Sequence, residues 1–432
     1  MGVGSRRAVL AFGVVGLVGG SMTFGASSGQ AVITARPTAY VMGGGVDAIT
    51  PINTATRTAG TAFAIGGAPS SMTIAANGTT AFVTDAYSAR VFKVDLTSHT
   101  ATGHISVTGV QHSVAITPNG KTVFTVAYNS NRVTVIDTAS NAVRASILLP
   151  SYCNSQGIAV NPNGTTAYVA CSGLGTVTPI NTATAALGTP IQVGGSPTHL
   201  AVTPNGKTIF VVDSGTTSVI AIDTATGNAT ASIQVGQVPQ GIAITPDGRT
   251  AYVANEFSDT VTPIDTATLT AGTPITVAHA PFEIAITPDG TTAYVTHIGR
   301  HEVTPITLAT RTAATPIPVT YEVTIAIAPD QAPVARFTAT VAPHGQSSAF
   351  DASASTVKFG KLALYVWQFG DGTTLARTTP TATHTYATAG NYTTSLTEMD
   401  SAGTSTKIVF TGQTVSRNGG PSAHTTKTLT IP

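Results

Sequence analysis

The chain has 432 residues, of which 9 % are charged, and its formal net charge is +1. This composition offers no basic field that could hold a polyanion, which excludes nucleic acid as an expected partner. Thr and Val favour strands, while 43 Gly and 25 Pro residues mark turns, so the composition indicates an all-β protein.

Residues 1–31 have the features of an export signal. Arg6 and Arg7 form a basic start, an apolar run follows over residues 8–20, and small residues lead to cleavage between Ala26 and Ala31. Residues 5–10, SRRAVL, resemble a bacterial twin-arginine signal, and an ordinary secretory signal is the alternative. The run is too short to span a membrane, and no later segment is predicted to do so. We therefore expect a secreted or cell-envelope protein outside the cytoplasm.

A phrase near residue 248, IAITPDGRTAYVAN over 242–255, recurs along the chain at intervals of 42 to 44 residues. Such self-similarity indicates a repeat fold. Within residues 241–282, four short strands alternate with turns, which is the pattern of a β-propeller blade. The glycine of the phrase stands at Gly78, Gly120, Gly164, Gly206, Gly248 and Gly290.

The two ends of the repeat region supply a seventh blade. Residues 324–328 match the first strand of the repeat, and residues 38–41 and 49–52 match its second and third strands. We predict seven blades over residues 38–328, with strands from both ends closing the ring and removing open sheet edges. A linear β-solenoid is the alternative, although it would not need a split unit.

Four prolines conflict with this arrangement because they fall in the predicted third strand, which has neighbours on both sides. Each proline removes one donor from the ladder. A short or bulged outer strand beside them would resolve the conflict. These prolines are Pro51, Pro179, Pro263 and Pro305.

The repeat resembles a known family. The segments AYVAC (167–171), AYVAN (251–255) and AYVTH (293–297) are similar to the YVTN β-propeller repeat of bacterial and archaeal surface or secreted proteins. The resemblance covers about two thirds of the chain and implies the propeller fold. It does not choose a function, since propellers of similar shape include lactonases and quinoprotein dehydrogenase subunits.

Residues 332–432 follow a different pattern. Short strands and turns predict a β-sandwich with Trp367 in its core. WQFGDG (367–372) and HTY (384–386) resemble motifs of the PKD (polycystic-kidney-disease) domain, an immunoglobulin-like extracellular module. The resemblance implies a spacer or adhesion unit that contacts protein or glycan. A polar insertion at residues 412–423 departs from this pattern before the last strand, predicted at 425–431.

The two cysteines, Cys153 and Cys171, flank one repeat hairpin. In an oxidising compartment they are predicted to form a disulfide, and two buried reduced thiols are the alternative.

Known catalytic motifs are absent from the sequence: there is no GxSxG, HExxH or CxxC, and no GxGxxG in a βαβ context. No catalytic residue, cofactor or metal site is therefore predicted. His297 and His301 stand four apart, but in a predicted loop, where helical ligand spacing does not apply.

Candidate ligand-binding residues come from the axial mouth of the propeller, which is built by residues just before the first strand and just after the second strand of each blade. Polar residues that the repeat itself does not require are the candidates. One interpretation is that they are solvated residues of the rim, and the other is hydrolytic chemistry by His with carboxylates. They are His112, His199, Asp213, Glu283, His297, Gln156, Gln240, Asn255 and Asp85.

The sequence favours an exported, monomeric, non-enzymatic binding or scaffold protein with an unknown protein or glycan partner at the cell surface. The alternative is a lactonase-like propeller hydrolase. A deep axial pocket in which His and carboxylate side chains converge would favour the hydrolase.

Overall fold

The computed structural model describes residues 36–43, 45–320 and 323–432. The predicted export signal, residues 1–31, lies outside the described residues. Within them the regular structure consists of β-strands and three short 3-10 turns, Tyr128–Ser130, Glu256–Ser258 and Pro421–Ala423. In this part of the chain no helix is long and apolar enough to cross a membrane.

Seven antiparallel sheets form the blades of a propeller. Blade 1 contains β1 (Ala39–Met42), β2 (Ile49–Asn53) and β3 (Thr58–Ala59). Blade 2 contains β4 (Pro69–Ile74), β5 (Thr80–Asp85), β6 (Arg90–Asp95) and β7 (Thr100–Ser106). Blade 3 contains β8 (Gln111–Ile116), β9 (Thr122–Ala127), β10 (Arg132–Asp137) and β11 (Ala142–Leu148). Blade 4 contains β12 (Ser155–Val160), β13 (Thr166–Cys171), β14 (Thr176–Asn181) and β15 (Ile191–Gln192).

The remaining blades continue in chain order. Blade 5 contains β16 (Pro197–Val202), β17 (Thr208–Asp213), β18 (Ser218–Asp223) and β19 (Asn228–Gln234). Blade 6 contains β20 (Pro239–Ile244), β21 (Thr250–Asn255), β22 (Thr260–Asp265), β23 (Thr270–Ala271) and β24 (Ile275–Thr276). Blade 7 contains β25 (Pro281–Ile286), β26 (Thr292–His297), β27 (Glu302–Thr307), β28 (Thr312–Ala313) and β29 (Ile317–Pro318).

Strands from both ends of the repeat region close the ring. Strand β30 (Thr324–Ile327) pairs with β1, with Ile327 opposite Ala39 and Thr324 opposite Met42, and so completes blade 1. The first strands of successive blades contact one another all the way round, from β30 through β4, β8, β12, β16, β20 and β25 back to β30. This is a closed seven-bladed propeller, and its apolar cores lie between adjacent blades.

The blades are of two kinds, which differ at one cross-strand pair. In blades 1, 4, 6 and 7 a tyrosine of the second strand faces one of the four prolines of the third strand, as Tyr252 faces Pro263. In blades 2, 3 and 5 a phenylalanine takes the place of the tyrosine and no proline faces it, as Phe210 faces Ala221.

The length of the outer strand differs between the two kinds of blade. It has seven residues in the phenylalanine blades and only two-residue pieces in the tyrosine blades. Proline has no N–H to give to a neighbouring strand, although its carbonyl still accepts, as Pro263 accepts from Gly272 N at 2.7 Å. The short outer strands therefore resolve the conflict that the prolines raised.

A C-terminal β-sandwich follows the propeller. One sheet has the order β32 (Thr338–Thr340), β33 (Ser347–Asp351) and β36 (Thr381–Thr385). The second has the order β35 (Thr374–Arg377), β34 (Leu362–Gln368), β37 (Gly390–Asp400) and β40 (His424–Ile431). A small third sheet joins β31 (Asp330–Gln331), β39 (Val415–Asn418) and β38 (Val409–Phe410). Trp367 is fully buried in this domain between Phe337 and Phe350.

The turn between β38 and β39, residues 411–414, enters one end of the propeller's axial channel. Three successive carbonyls, of Thr411, Gly412 and Gln413, accept the amides of Val202, Val160 and Ile116 at the ends of three first strands. Phe410 and Val415, both buried, pack in the core between blades 3 and 4. The first part of the predicted insertion (412–423), together with the two residues before it, thus plugs the propeller, and we call residues 410–416 the plug.

Candidate active site at the axial mouth

A cavity of about 350 Å³ lies on the propeller axis. The first strands of the blades form its wall, and plug residues including Gln413 and Ser416 form its floor. The cavity is therefore a blind pocket that opens at the end where the first strands begin. Mixed apolar and polar lining around a concave space of this size is typical of a small-molecule site.

Bulges at the start of the first strands place the polar residues of the pocket. The register between first and second strands shifts once in each of blades 2 to 7, for example between Gln111 and Ser113 and between Pro281 and Ile284. A bulge frees one or two residues from the ladder and redirects their side chains. Four of the predicted ligand-binding residues lie in these bulges and line the pocket: His112, Gln156, His199 and Glu283.

His199 and Glu283 meet in the pocket wall. His199 Nε2 lies 3.4 Å from Glu283 Oε1, and each side chain is less than one-fifth exposed. Burial raises the pKa of Glu283 to about 7, although the Ile284 amide donates to its Oε2 at 3.1 Å and opposes the shift. Burial, together with the nearby His112, lowers the pKa of His199 to about 4. At neutral pH the histidine is therefore neutral, and the glutamate is close to half ionised.

The rest of the wall is polar or aromatic and carries little charge. His112 Nδ1 lies 3.2 Å from the carbonyl oxygen of Gln156, and the Phe282 ring stands edge-on to His199 at 6.3 Å. Ser70 shares a hydrogen bond with Thr84 at 2.8 Å. Among the described residues that line the pocket, Glu283 is the only acid, and none is Lys or Arg.

Four other predicted residues lie outside the pocket lining and hold loops in place instead. Each ends a second strand and is buried. Asp213 accepts the Ser196 amide at 2.8 Å, Asn255 accepts the Gly236 amide at 3.1 Å, and His297 Nδ1 lies 3.1 Å from the His279 carbonyl. Asp85 accepts the Tyr87 amide at 3.0 Å and pairs with Arg90 at 3.0 Å.

Cys171 occupies the same structural position in blade 4, where a disulfide joins it to Cys153. In blades 4 to 7 the residue that ends the second strand is thus tied to the loop that enters the same blade, 17 to 19 residues earlier in the chain. The disulfide is the covalent form of a tie that other blades make with hydrogen bonds.

The ninth predicted residue, Gln240, also lies outside the lining, and its Nε2 donates to Glu256 at 2.7 Å. No group of three or more His, Cys, Asp or Glu side chains among the described residues is arranged to hold a metal ion.

The sequence analysis missed the floor of the pocket. Thr411, Gln413, Thr414 and Ser416 line it, although they belong to the C-terminal domain. The only sequence signal was the glycine-bearing polar insertion, and nothing in the repeat pattern pointed to where it docks.

Two family models match the chain. Residues 43–314 match the model described as "Lactonase, 7-bladed beta-propeller", and residues 330–415 match the PKD domain model. The first match covers more than half of the 432 residues. The chain therefore belongs to the lactonase family of seven-bladed β-propellers, with a PKD domain following the propeller. None of the curated proteins compared with the chain matches it.

Solved structures similar to this chain carry names of different functions. The hydrazine synthase of Kuenenia stuttgartiensis is 23 % identical, with 58 % of this chain and 86 % of that chain covered and a TM-score of 0.53. A functionally unknown protein from Desulfotomaculum acetoxidans is 19 % identical, with coverage of 67 % and 98 % and a TM-score of 0.60. A candidate 6-phosphogluconolactonase of Bacteroides uniformis is 15 % identical, with coverage of 68 % and 99 % and a TM-score of 0.57. At these identities the likeness shows the fold alone.

Proposed function

We propose that the protein hydrolyses a small uncharged lactone in the axial pocket, with Glu283 as the general base and general acid and His199 as the residue that positions it. The observation that carries the proposal is the contact between the two side chains, 3.4 Å apart in the wall of a blind pocket. The lactonase family match supports this choice over other propeller activities. We propose this activity in place of the non-enzymatic role that the sequence favoured, because a buried carboxyl group with a pKa of about 7 meets a histidine in one pocket.

The chemistry requires one proton to be moved twice. The ionised Glu283 carboxylate takes a proton from water as the water oxygen attacks the lactone carbonyl carbon. The tetrahedral adduct then collapses, the bond between the acyl carbon and the ring oxygen breaks, and the Glu283 carboxyl returns the proton to the departing oxygen. A pKa of about 7 suits both steps at neutral pH.

Neutral His199 positions Glu283 in both states of the carboxyl group. The ring keeps its hydrogen on Nε2, next to Glu283 Oε1 at 3.4 Å, while Oε2 takes and returns the proton of the reaction. Because the pKa of His199 is lowered to about 4, the ring stays neutral through both steps.

A lactone assay tests this assignment. Glucono-δ-lactone hydrolysis by the full chain should exceed the spontaneous rate, and Glu283→Gln should lower kcat by about 100-fold or more. Glu398→Gln is the matched control, since Glu398 is a buried glutamate of the C-terminal domain whose pKa is also raised to about 7. Equal rates for the Glu283→Gln and Glu398→Gln proteins would refute catalysis by Glu283.

Ligand binding without turnover is the second candidate function. His199 Nδ1 is buried without a hydrogen-bond partner among the described residues, so no protein group fixes the ring as an orienting carboxylate does in a hydrolytic triad. Calorimetry with glucono-δ-lactone separates the two functions. Heat of binding with hydrolysis at the spontaneous rate would favour this candidate, and hydrolysis that depends on Glu283 would favour the first.

We also propose that the protein works outside the cytoplasm, where a disulfide such as Cys153–Cys171 persists. The signal-like residues 1–31 and the YVTN-like repeat phrases support this location. Immunodetection in cell fractions tests it, and recovery of the uncleaved chain from the cytoplasm would contradict it.

A further inference from the structure

Four aromatic side chains stand exposed on the face of the propeller where the pocket opens. Tyr152 is 77 % exposed, Tyr87 74 %, Phe257 68 % and Tyr128 39 %. Tyr87, Tyr128 and Phe257 follow the ends of β5, β9 and β21, and Tyr152 precedes β12. The ends of these second strands pair with the starts of the first strands, so the four loops share the mouth face. We call Tyr87, Tyr128 and Tyr152, from blades 2 to 4, the aromatic arc.

Two members of the aromatic arc, Tyr87 and Tyr128, border the pocket. The Tyr128 ring lies 6.2 Å from the ring of His112, which lines the pocket. A Cβ atom on Gly45, another lining residue, would collide with the Tyr87 hydroxyl. Tyr87 and Tyr128 therefore adjoin the pocket wall, whereas His199 and Glu283 come from blades 5 and 7. Tyr152 lies in the next loop, which is tied to the turn of Tyr128 through Asn154 and Asn131.

The loops of the arc are held in fixed conformations. Tyr152 has a φ of +64°, which is unfavourable for a large side chain, and the disulfide fixes its neighbour Cys153. The 3-10 turn of Tyr128 ends at Asn131, also with positive φ, and the Asn131 side chain accepts the Asn154 amide at 3.0 Å. Strained backbone that holds an exposed ring in place is an observation that calls for a functional explanation. A fixed ring also loses little entropy when it binds a ligand.

We propose that the aromatic arc binds neutral carbohydrate and extends the axial pocket into a glycan-binding cleft. The apolar C–H face of a sugar ring packs on an aromatic ring, and the sugar hydroxyl groups bond to the serine, glutamine and histidine side chains of the wall. The arc supplies the aromatic rings, and the wall supplies Ser70, Ser71, Ser113, Gln156 and His112.

The charge of the pocket lining favours a neutral sugar over an anionic one. No Lys or Arg is found among the described residues of the lining, so a phosphorylated or uronic-acid ligand would bury its charge against Glu283 without a partner. An uncharged sugar makes no such demand. The inference extends the proposed function to a substrate class, but it concerns binding and is tested without any turnover.

Calorimetric titration of the full chain with three neutral β-linked hexasaccharides tests the proposal. The probes are cellohexaose, chitohexaose and laminarihexaose, and hexagalacturonate is the charged comparison. We expect at least one neutral probe to bind with a Kd below about 1 mM and the hexagalacturonate to bind at least about tenfold more weakly. If no neutral probe binds, or the charged probe binds best, the proposal is wrong.

Paired variants locate the binding. Tyr128→Ala and Tyr87→Ala should each weaken the bound neutral probe by about tenfold, because each removes a ring face. Tyr128→Phe and Tyr87→Phe keep the ring and should stay within about threefold. Val143→Ala is the control, since Val143 is exposed on the outer strand of blade 3 and pairs with Ile136 at the end of the blade opposite the mouth. Alanine variants that bind like the Val143→Ala protein would refute the arc. Because Tyr87 is largely exposed, its variant gives the answer even if Tyr128→Ala fails to fold.

The hydrolase proposal and the glycan-binding proposal can be refuted independently of each other. Loss of probe binding in the arc variants supports the arc whatever their glucono-δ-lactone kcat, because the hexasaccharide probes contain no lactone. Probe binding that persists in Glu283→Gln protein without any lactone turnover supports the arc while removing the hydrolase assignment.

Discussion

The two ends of the propeller's axial channel are built from the same first strands, yet they are treated in opposite ways. At the mouth, bulges release polar side chains into a pocket, and a buried glutamate keeps a pKa of about 7. At the other end, the plug fills the channel and its carbonyls accept the last amides of three strands. Seven similar blades produce a nearly symmetric ring, so the difference between the ends comes from residues that the repeat does not share.

The plug gives the C-terminal domain a structural role in the propeller. A spacer would contact the propeller only through its linker, whereas this domain places Phe410 and Val415 in the propeller core. Arg417 Nε also donates to the Pro288 carbonyl of blade 7 at 2.7 Å. The two domains are therefore expected to unfold together.

The largest effect is expected at the plugged end. Phe410→Ala removes a buried ring from the core between blades 3 and 4 and should cost about 3–5 kcal/mol of unfolding free energy. Guanidinium unfolding is followed by circular dichroism and by fluorescence of Trp367, the only tryptophan, which reports on the C-terminal domain. The two signals should coincide in the parent protein and separate in the variant. Ile408→Ala is the control, since Ile408 is 45 % exposed on the same segment. Equal stability of the two variants would contradict a packed plug.

At the mouth, the buried glutamate makes stability depend on pH. Its raised pKa means that the folded state binds a proton more tightly than the unfolded chain, so stability falls as pH rises from about 4.5 to about 7. The loss amounts to about 3 kcal/mol above that range. Glu283→Gln should remove this loss and stabilise the protein at pH 8 relative to pH 4.5.

Two comparisons isolate the glutamate. His199 acts with the opposite sign between about pH 4 and 6.5, so the quantity to measure is the difference in unfolding free energy between the variant and its parent at each pH. Glu398→Gln should change stability in the same direction, because burial also raises the pKa of Glu398 to about 7. Lactone kcat should rise with pH near 7 as Glu283 ionises, and only Glu283→Gln should abolish this rise. A Glu283→Gln difference that does not vary with pH would show that the carboxyl group is not buried as described.

Removing the disulfide near the mouth should change the unfolding free energy by as much as the Glu283→Gln substitution or less. Cys153→Ser with Cys171→Ser frees a loop of 18 residues and should lower the unfolding free energy by about 3 kcal/mol. Thermal unfolding with and without dithiothreitol measures this, and the reductant should destabilise the parent but not the double variant. A melting temperature of the parent that is insensitive to full reduction would show that the tie contributes nothing. Asn255→Ala, which removes the hydrogen-bonded tie of blade 6, allows the covalent and non-covalent forms to be compared.

Much of the fold can be predicted from the sequence because the pattern of one blade recurs seven times. The spacing of the glycines, the split hairpin at residues 38–41 and 324–328, and the DG and NG turns each depend on local chemistry that recurs. The conflict raised by the four prolines was also visible, and the structure resolves it through short outer strands.

The site was less accessible to sequence reasoning for a physical reason. The repeat shows which positions of each blade lie at the mouth. It does not show whether the side chain at such a position turns toward the axis or back toward its own blade. Asp213, Asn255 and His297 turn back and bind loop amides or carbonyls, whereas His199 and Glu283 are released by bulges. The floor of the pocket could not be predicted from the sequence, because it depends on contacts between residues more than 200 positions apart, such as Val202 and Thr411.

The smallest effect is expected from a single methyl group at the tip of the plug. Gly412 has a φ of +117°, and a Cβ atom there would lie 3.2 Å from Ala159 Cβ and 3.2 Å from the Val202 nitrogen. Gly412→Ala should therefore cost about 1–3 kcal/mol through backbone strain and crowding. Gly420→Ala is the matched control, since Gly420 has an extended backbone and no atom within 4 Å of its added Cβ, and its stability should change by less than about 0.5 kcal/mol. Because Gly412 sits beneath the pocket floor, its variant should also alter the KM for glucono-δ-lactone more than kcat. If Gly412→Ala matches Gly420→Ala in both stability and KM, the turn does not seat in the channel, and the pocket is open at both ends.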